Sequence, residues 1–261
     1  MPAAQILPSA MKTLVAIPVF NEERYLRGVL SKVSRYARDV LVVDDGSTDA
    51  TPDLLRELQP LAVIRHSTNM GYGRSLIDAF AFAARRDYDW VITMDCDDQH
   101  EPARIPDFLT AARRGNVDIV SGSRYLTSFD ANDRPPADRR RINATITWML
   151  NTTLGLGLTD AFCGFKAHRV SAMQRMRLDV AGYAFPLQFW VQAAALELHV
   201  VELPVRLIYQ DQNRHFGGML DDADVRLRHY LDVFDHELDR ADWTRRTPAI
   251  VSCGGRVRQS C

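Results

Sequence analysis

What this 261-residue sequence lacks excludes several classes of protein. It has four cysteines, none in a CxxC or Cys/His spacing, so neither a disulfide scaffold nor a zinc site is indicated. No apolar run reaches the roughly 18 residues of a membrane span. Residues 1–11 lack the basic and then apolar pattern of a signal peptide. The expected location is cytoplasmic, with peripheral contact at the cytoplasmic membrane face left open.

The chain also lacks an excess of positive or of negative charge. The chain has 32 Lys and Arg residues against 33 Asp and Glu residues, for a formal net charge of -1. Such a balance gives no overall attraction to nucleic acid, so nucleic acid is not an expected partner. With 46% hydrophobic and 25% charged residues, the composition is that of an ordinary soluble domain.

A glycine-rich loop is missing where two other nucleotide-binding classes need one. The first predicted strand is followed by Asn21-Glu22-Glu23-Arg24 instead of Gly-x-Gly-x-x-Gly. This excludes a dinucleotide-binding oxidoreductase, whose phosphates rest on that loop. A sugar-1-phosphate nucleotidyltransferase would need a glycine-rich, basic loop at the same place.

The sequence does contain a regular alternation of strands and helices. Strands are predicted at 14–20, 40–43, 62–65, 89–94 and 118–121, and helices at 22–35, 50–58, 74–85 and 103–113. This order predicts an α/β fold with a mostly parallel, twisted sheet flanked by helices. Farther on, we expect a polar loop at 127–141 that acts as a lid, an apolar stretch at 143–158, helices at 183–198 and 220–238, and a strand at 200–209.

The predicted domain organisation follows from these elements. Residues 12–218 form one α/β domain, and residues 219–243 form a helix that packs on it. Residues 1–11 and 244–261 are expected to be tails.

Residues whose side chains can bind ligands or take part in catalysis follow each of the first five strands. The most informative are Asp95 and Asp97, which follow the apolar run 90–94 and offer hard oxygen ligands suited to Mg²⁺ or Mn²⁺. The carboxyl ends of parallel strands share one edge, where α/β sheets keep their sites. Simpler structural roles exist for single residues: Asn21 as the cap of the first helix, Asp49 as a helix N-cap, and Gly71 as a turn residue.

Five segments together resemble glycosyltransferase family 2 with its GT-A fold, over roughly residues 12–218. They are Pro18-Val19-Phe20-Asn21-Glu22, Val43-Asp44-Asp45-Gly46-Ser47-Thr48-Asp49, Asn69-Met70-Gly71, Asp95-Cys96-Asp97-Asp98-Gln99-His100 and Ser121-Gly122-Ser123-Arg124.

The resemblance implies roles for particular residues. Asp95 and Asp97 would hold a divalent metal on the donor diphosphate, with Gln99 beside them. Asp44 would read the base or ribose, with Asp45 as a second possibility. The remaining residues implied in nucleotide-sugar binding are Pro18, Asn21, Glu22, Gly71 and Cys96.

Within the family, the sequence is most similar to dolichyl- and polyprenyl-phosphate mannosyl- or glucosyltransferases. The similarity rests on Ser-Gly-Ser-Arg-Tyr at 121–125, on Asp160-x-x-Cys163-Gly164-Phe165-Lys166 and on the short length. It implies a nucleotide-sugar donor of the GDP-mannose or UDP-glucose type and a lipid-phosphate acceptor. Cys96 and Asp98 depart from the family pattern, and the segment 214–218 matches its basic loop only loosely.

The acceptor decides which other residues are needed. A sugar hydroxyl requires a carboxylate base, but the sequence has no Glu-Asp dipeptide of the kind that such family members carry. A phosphate is already ionised and needs cations instead. We therefore expect Arg124, Arg139 and Arg214 to bind the acceptor, and Asp97, Arg124 and Arg214 to act in catalysis. The run 139–141 is equally compatible with a solvated helix start.

Some alternatives remain open. The enzyme could act on a saccharide hydroxyl, or the chain could bind nucleotide sugars without catalysis, as the departures at Cys96 and Asp98 permit. The stretch 143–158 is core, a homodimer interface or a lipid contact. His100 either orients a ligand or closes the turn, and no role is assigned to His66.

Overall fold

The computed structural model describes residues 11–58, 62–127, 137–206, 208 and 218–243. Arg214, nearly all of the predicted tails and most of the predicted loop lie outside these residues. The strands are β1 Thr13–Val19, β2 Asp39–Asp44, β3 Ala62–Arg65, β4 Trp90–Thr93, β5 Ile119–Ser123, β6 Lys166–Arg169 and β7 Val200–Pro204. The α-helices are α1 Leu26–Val33, α2 Thr51–Glu57, α3 Tyr72–Arg85, α4 Ile105–Ala112, α5 Ala137–Leu154, α6 Val170–Met173, α7 Phe185–Ala195 and α8 Ala223–Arg240.

The strands form one sheet in the order β3-β2-β1-β4-β6-β5-β7. Only β6 among them runs antiparallel to its neighbours, β4 and β5. The prediction of an α/β fold with a mostly parallel sheet is thus confirmed. The predicted domain boundaries stay a prediction.

The sheet separates two hydrophobic cores. Alternate residues of β1 enter opposite cores: Leu14 and Ala16 belong to one, and Val15 and Ile17 to the other. Burial on both faces explains why β1, β2 and β4 consist largely of apolar runs. The polar strand ends at the carboxyl edge are therefore held on a rigid base.

The prediction of a loop at 127–141 is wrong for its last five residues, because α5 begins at Ala137. Pro135-Pro136 precedes the helix, and proline suits a helix start better than its interior. The spacing of Ile142, Ile146 and Leu150, all buried, gives the helix its inner face. The arginines at 140 and 141 are exposed, so the polarity that suggested a loop belongs to the outer face of the first turns.

Strand β6 was not predicted. Its sequence, Lys-Ala-His-Arg, has no apolar run, yet Lys166 and His168 are buried. β5 is also longer than predicted and includes Ser121-Gly122-Ser123. A side chain at Gly122 would meet the Phe165 carbonyl oxygen at 2.8 Å, so glycine permits the close approach of β6.

The apolar stretch that starts at residue 143 mainly supplies core. Ile146, Leu150, Leu154 and Leu158 are buried in the core that also receives Tyr230 and Phe234 of α8. Trp148 is the exception, with 68% of its surface exposed. α8 packs on α7, and Glu237 accepts a buried hydrogen bond from Gln188. Within the described part of the chain, each helix is too short or too polar to cross a membrane.

Candidate active site

A cavity of about 560 Å³ opens at the carboxyl edge of the sheet. We call one side of the cavity the donor wall, and it comes mainly from the strand ends and the start of α3. Its residues are Pro18, Val19, Phe20, Glu22, Asp45, Asn69, Gly71, Tyr72, Asp95, Cys96, Asp97 and Gln99. Its arginine wall comes from the end of β5, α5, α8 and the segments between them: Arg124, Tyr125, Arg139, Ile142, Asn143, Phe162, Tyr183, Arg226 and Tyr230. The two walls have opposite chemical character.

Asp95 is the most constrained carboxylate of the donor wall. His100 Nε2 lies 3.2 Å from Asp95 Oδ2, and the Tyr72 hydroxyl donates to Oδ1 at 3.2 Å. Burial alone would raise the pKa of Asp95, but the hydrogen bond and charge of His100, together with Tyr72 and Lys166, lower it below its ordinary value. Asp95 is therefore ionised at neutral pH. His100 restrains the Asp95 side chain, and a role of His100 toward a bound ligand stays a prediction.

The segment 163–166 packs against the Asp95 side chain. A side chain at Gly164 would overlap the Asp95 carboxylate, so glycine there lets the carboxylate keep its position. The Thr93 hydroxyl donates to the Gly164 carbonyl at 2.9 Å and ties the segment to β4. Lys166 is buried and donates to the Cys163 carbonyl, and burial lowers the pKa of its ammonium group. These contacts explain why glycine and lysine occur at positions 164 and 166 of the Asp160-x-x-Cys163-Gly164-Phe165-Lys166 segment.

Asp97 also lines the cavity and accepts a hydrogen bond from the Gln99 backbone N–H at 3.1 Å. Asp98 does not line the cavity: it pairs with Lys32, with Nζ and Oδ1 2.6 Å apart, and has a positive φ of 57°. Asp95 and Asp97 of this turn therefore line the cavity, whereas Asp98 lies outside it. Cys96 is buried and borders the cavity.

The donor set at Asp95 and Asp97 fits a magnesium-type ion. Both are oxygen ligands on one turn, and Asp95 is held ionised. The described residues hold no cluster of three or more His, Cys, Asp or Glu side chains suited to a metal. Magnesium characteristically uses one or two carboxylates and completes its shell with water and substrate phosphates. An ion here would accordingly be shared between this turn and a diphosphate.

At the end of β2, the structure places Asp45 on the cavity wall and not Asp44. Asp44 is fully buried, accepts from the Ser47 N–H at 2.9 Å and lies 3.2 Å from Arg65 Nε. Asp45 accepts the backbone N–H groups of Met70 at 2.7 Å and Gly71 at 2.8 Å. The prediction that Asp44 contacts base or ribose does not match its position, and the second possibility, Asp45, does.

Asn21 is likewise turned away from the cavity. Its side-chain oxygen accepts the Thr48 N–H at 2.8 Å and joins the turn after β1 to the turn after β2. It does not cap α1, which begins at Leu26 without a side-chain cap, so the capping interpretation is also wrong. Pro18, Glu22 and Gly71 do line the cavity. Asp49 accepts the Thr51 N–H at 3.0 Å at the start of α2, close to its expected cap role.

Arg124 lies on the arginine wall in a buried ion pair with Asp160. Arg124 Nε and Nη2 contact the two carboxylate oxygens at 2.6 and 2.8 Å, and Asn143 donates to the same carboxylate at 2.8 Å. Burial alone would lower the pKa of Arg124 and raise that of Asp160. Their mutual attraction reverses both effects, so the pKa of Arg124 is raised and that of Asp160 is well below its usual range. The pair uses only part of the guanidinium's donors.

Arg139 lies in the first turn of α5 and borders the cavity, and its predicted role in binding the acceptor stays a prediction. Sequence reasoning missed Arg226 of α8, which is 3% exposed, donates to the Leu220 carbonyl at 2.6 Å and also lines the cavity. It missed Tyr72 and Tyr230 as well. Tyr72 directly follows the Gly71 motif, which was a usable signal, whereas nothing in the α8 sequence distinguishes Arg226 from a surface arginine.

The profile of Glycosyl transferase family 2 matches residues 14–177 of this chain, well over half of it. The chain belongs to glycosyltransferase family 2. The resemblance noted from the sequence is confirmed, and the protein is a glycosyltransferase. The matched range includes every strand end described above, whereas Tyr183, Arg226 and Tyr230 of the arginine wall lie beyond it.

Two curated relatives of this family 2 glycosyltransferase are similar over most of its length. It is 30% identical over 228 residues to the undecaprenyl-phosphate mannosyltransferase of Micrococcus luteus, covering 83% of this chain and 93% of the relative. It is 30% identical over 204 residues to the polyprenol monophosphomannose synthase of Mycolicibacterium smegmatis, covering 74% of this chain and 76% of the relative.

Solved structures show the same fold. The glucosyl-3-phosphoglycerate synthase of Mycobacterium tuberculosis in complex with UDP superposes with a TM-score of 0.65 at 18% identity, covering 89% of this chain and 80% of that one. At this identity the likeness concerns the fold alone.

Proposed function

We propose that this glycosyltransferase moves a hexose, with mannose favoured over glucose, from a nucleotide sugar to a polyprenyl or dolichyl phosphate. The observation that carries the proposal is a single cavity lined both by carboxylates from the strand ends and by the arginines at 124, 139 and 226. The names of the two curated relatives support a lipid-phosphate acceptor and a mannosyl group.

The donor is proposed to lie along the donor wall. Asp95 and Asp97 would hold Mg²⁺ or Mn²⁺, with Gln99 beside them, and Asp45, Pro18 and Glu22 would line the nucleoside end. When bound, the ion offsets the negative charge that grows on the departing diphosphate. The residues that carry this chemistry are preorganised, since His100 and Tyr72 already hold Asp95 in one orientation.

The acceptor phosphate is proposed to lie at the arginine wall. A phosphate monoester has a second pKa of about 6, so its oxygen is already anionic at neutral pH and needs no general base. Arg124, Arg139 and Arg226 would bring it beside the donor. Asp160 keeps Arg124 charged and fixed, and a phosphate would take the guanidinium donors that Asp160 does not use.

The rest of the acceptor requires an apolar surface near this wall. Tyr125 and Leu126, at the end of β5, are 39% and 43% exposed. Trp148 stands farther along α5 from Arg139. These side chains support peripheral contact with a lipid surface, because aromatic rings next to arginines are typical of proteins that lie at membrane interfaces.

The test is release of nucleoside diphosphate from GDP-mannose, with UDP-glucose in parallel. We expect release to depend on Mn²⁺ or Mg²⁺ and to be stimulated by a short-chain polyprenyl phosphate but not by the matching polyprenol. Equal stimulation by the polyprenol would contradict the role of the arginines, and release without any metal would contradict the role of Asp95 and Asp97.

A further inference from the structure

His66, just after β3, is a buried histidine with both ring nitrogens on carboxylates. Nδ1 lies 2.6 Å from Asp45 Oδ1 and Nε2 lies 2.9 Å from Asp78 Oδ2. Asp78 also accepts from Arg74 Nε at 2.9 Å and Nη2 at 2.7 Å. A carboxylate oxygen thus lies within hydrogen-bond distance of each ring nitrogen, so the ring is held from both sides. The cavity is lined by Asp45 and not by His66.

Asp45 connects His66 to the start of α3 through hydrogen bonds. Its two oxygens accept the N–H groups of Met70 and Gly71, as described above. The segment packs closely at Gly71, which has a φ of 103° and where a side chain would overlap the Ala181 carbonyl. The next residue, Tyr72, donates its hydroxyl to Asp95 Oδ1. Hydrogen bonds thus link Asp78, His66 and Asp45 to the backbone of residues 70 and 71, and the next residue, Tyr72, contacts the carboxylate proposed to hold the metal.

We propose that His66 is a positioning residue for the donor wall: it fixes the Asp45 carboxylate, which holds residues 70–72 so that Tyr72 reaches Asp95. The inference rests on the proposed donor site but goes beyond it, because His66 acts on the base side and the phosphate side of that site at once. Without the imidazole ring, Asp45 would keep only its backbone partners and face Asp78 across an emptied space.

Two consequences distinguish this role from a general contribution to stability. First, the Met70 and Gly71 amides should exchange with solvent faster in a His66→Gln variant, while amides in the strands keep their protection. Second, the KM for the donor should rise by about tenfold, since charge-assisted hydrogen bonds are lost, while kcat changes much less.

The experiment compares the parent with His66→Gln and Asp78→Asn, using site-resolved hydrogen exchange and calorimetry with GDP and UDP in the presence of Mn²⁺. Asp78→Asn leaves the histidine in place and removes only its distal charge, so it serves if the first variant does not fold. His199→Gln is the matched control, because its Nδ1 lies 2.6 Å from the Asn116 carbonyl at the amino end of β5, away from the cavity.

We expect both test variants to lose protection at Met70 and Gly71 and to bind the nucleotide about tenfold more weakly, with no change in the control. Unchanged protection at these two amides in Asp78→Asn and in a folded His66→Gln would overturn the proposal. If protection is lost but the parent itself binds no nucleotide, His66 still positions this segment and the proposed function is what fails.

Discussion

At the scale of the residue, the candidate site depends on which carboxylates of the 95–98 turn face the cavity. Asp95 and Asp97 line it, whereas Asp98 is engaged by Lys32 on the outside. The same type of side chain, at neighbouring positions, thus lines the cavity in one case and pairs with a lysine in the other. This contrast provides a pair of variants that differ in site contacts and little else.

Asp97→Ala should weaken Mn²⁺-dependent binding of the nucleotide sugar by more than about tenfold, or ~1.4 kcal/mol, because one hard ligand and one charge are removed. Its melting temperature should change little. Asp98→Ala is the control and should bind the donor as the parent does. Calorimetry with and without Mn²⁺ measures both, and parent-like affinity in Asp97→Ala would show that this residue holds no metal.

Gly164→Ala tests the support behind Asp95. The added methyl group would overlap the carboxylate, so the side chain must turn away from the cavity or the backbone must shift, at a cost of about 1–3 kcal/mol. We expect metal-dependent donor binding to fall. Gly157→Ala is the control, since a side chain there meets nothing within 4 Å. Donor affinity equal to the parent's in Gly164→Ala would mean that the Asp95 orientation is unimportant.

At the scale of the element, β5, α5 and the segment before β6 are joined by the buried Arg124–Asp160 pair. Asp160→Asn should cost about 3–5 kcal/mol of unfolding free energy, because it leaves a buried cation without its partner. Asp118→Asn is the control: its pair with Arg169 is 3.2 Å long and partly exposed, so it should cost less than about 1 kcal/mol.

The same pair predicts a pH dependence. The pKa of Asp160 is lower in the folded state than in the unfolded chain, so its stabilisation is complete above the unfolded value of about 4 and is lost as the pH falls toward the folded value. The difference in unfolding free energy between the parent and Asp160→Asn should shrink as the pH drops below about 4. A difference that stays constant down to the lowest pH at which both fold would contradict the assignment.

The elements also show what a sequence can and cannot predict. The first four strands and their helices were predicted within a few residues, because β1, β2 and β4, which are buried on both faces, are apolar runs and β3 is a short apolar segment between helices. β6 was missed because Lys166 and His168 occupy buried positions of the strand, and a search for apolar runs does not detect polar residues. Asp45 and Asp44 are adjacent in sequence, and only the turn geometry decides which of them reaches the cavity. Arg226 comes from an element more than 100 residues away from Arg124, a proximity that no local pattern encodes.

At the scale of the whole molecule, the proposed acceptor requires a lipid surface to meet the arginine wall. α5 links the two, because it lines the cavity with Arg139 and Ile142 and presents Trp148 outward two turns later. Residues 140 and 141, both arginine, are exposed on the same helix. An interfacial tryptophan next to such charges favours an anionic bilayer.

Trp148→Ala should therefore reduce sedimentation with phosphatidylglycerol vesicles by about tenfold, since burying an aromatic ring contributes roughly 1.5–3 kcal/mol, and should leave donor binding unchanged. Tyr36→Ala is the control, as Tyr36 is exposed to 42% at the end of the first strand–helix unit, outside α5. Vesicle binding that is equal in the parent and in Trp148→Ala would place the lipid contact elsewhere on the surface.

The most direct test of the central claim is the identity of the product formed from one labelled nucleotide sugar. GDP-mannose and Mn²⁺ are offered to the protein with a short-chain polyprenyl phosphate and a panel of sugar alcohols in the same vessel, and products are separated and weighed by mass spectrometry. The account predicts a lipid phosphate that carries one added hexose, and no glycosylated sugar. Efficient transfer to a sugar hydroxyl, with none to the lipid phosphate, would contradict it and leave only membership of glycosyltransferase family 2.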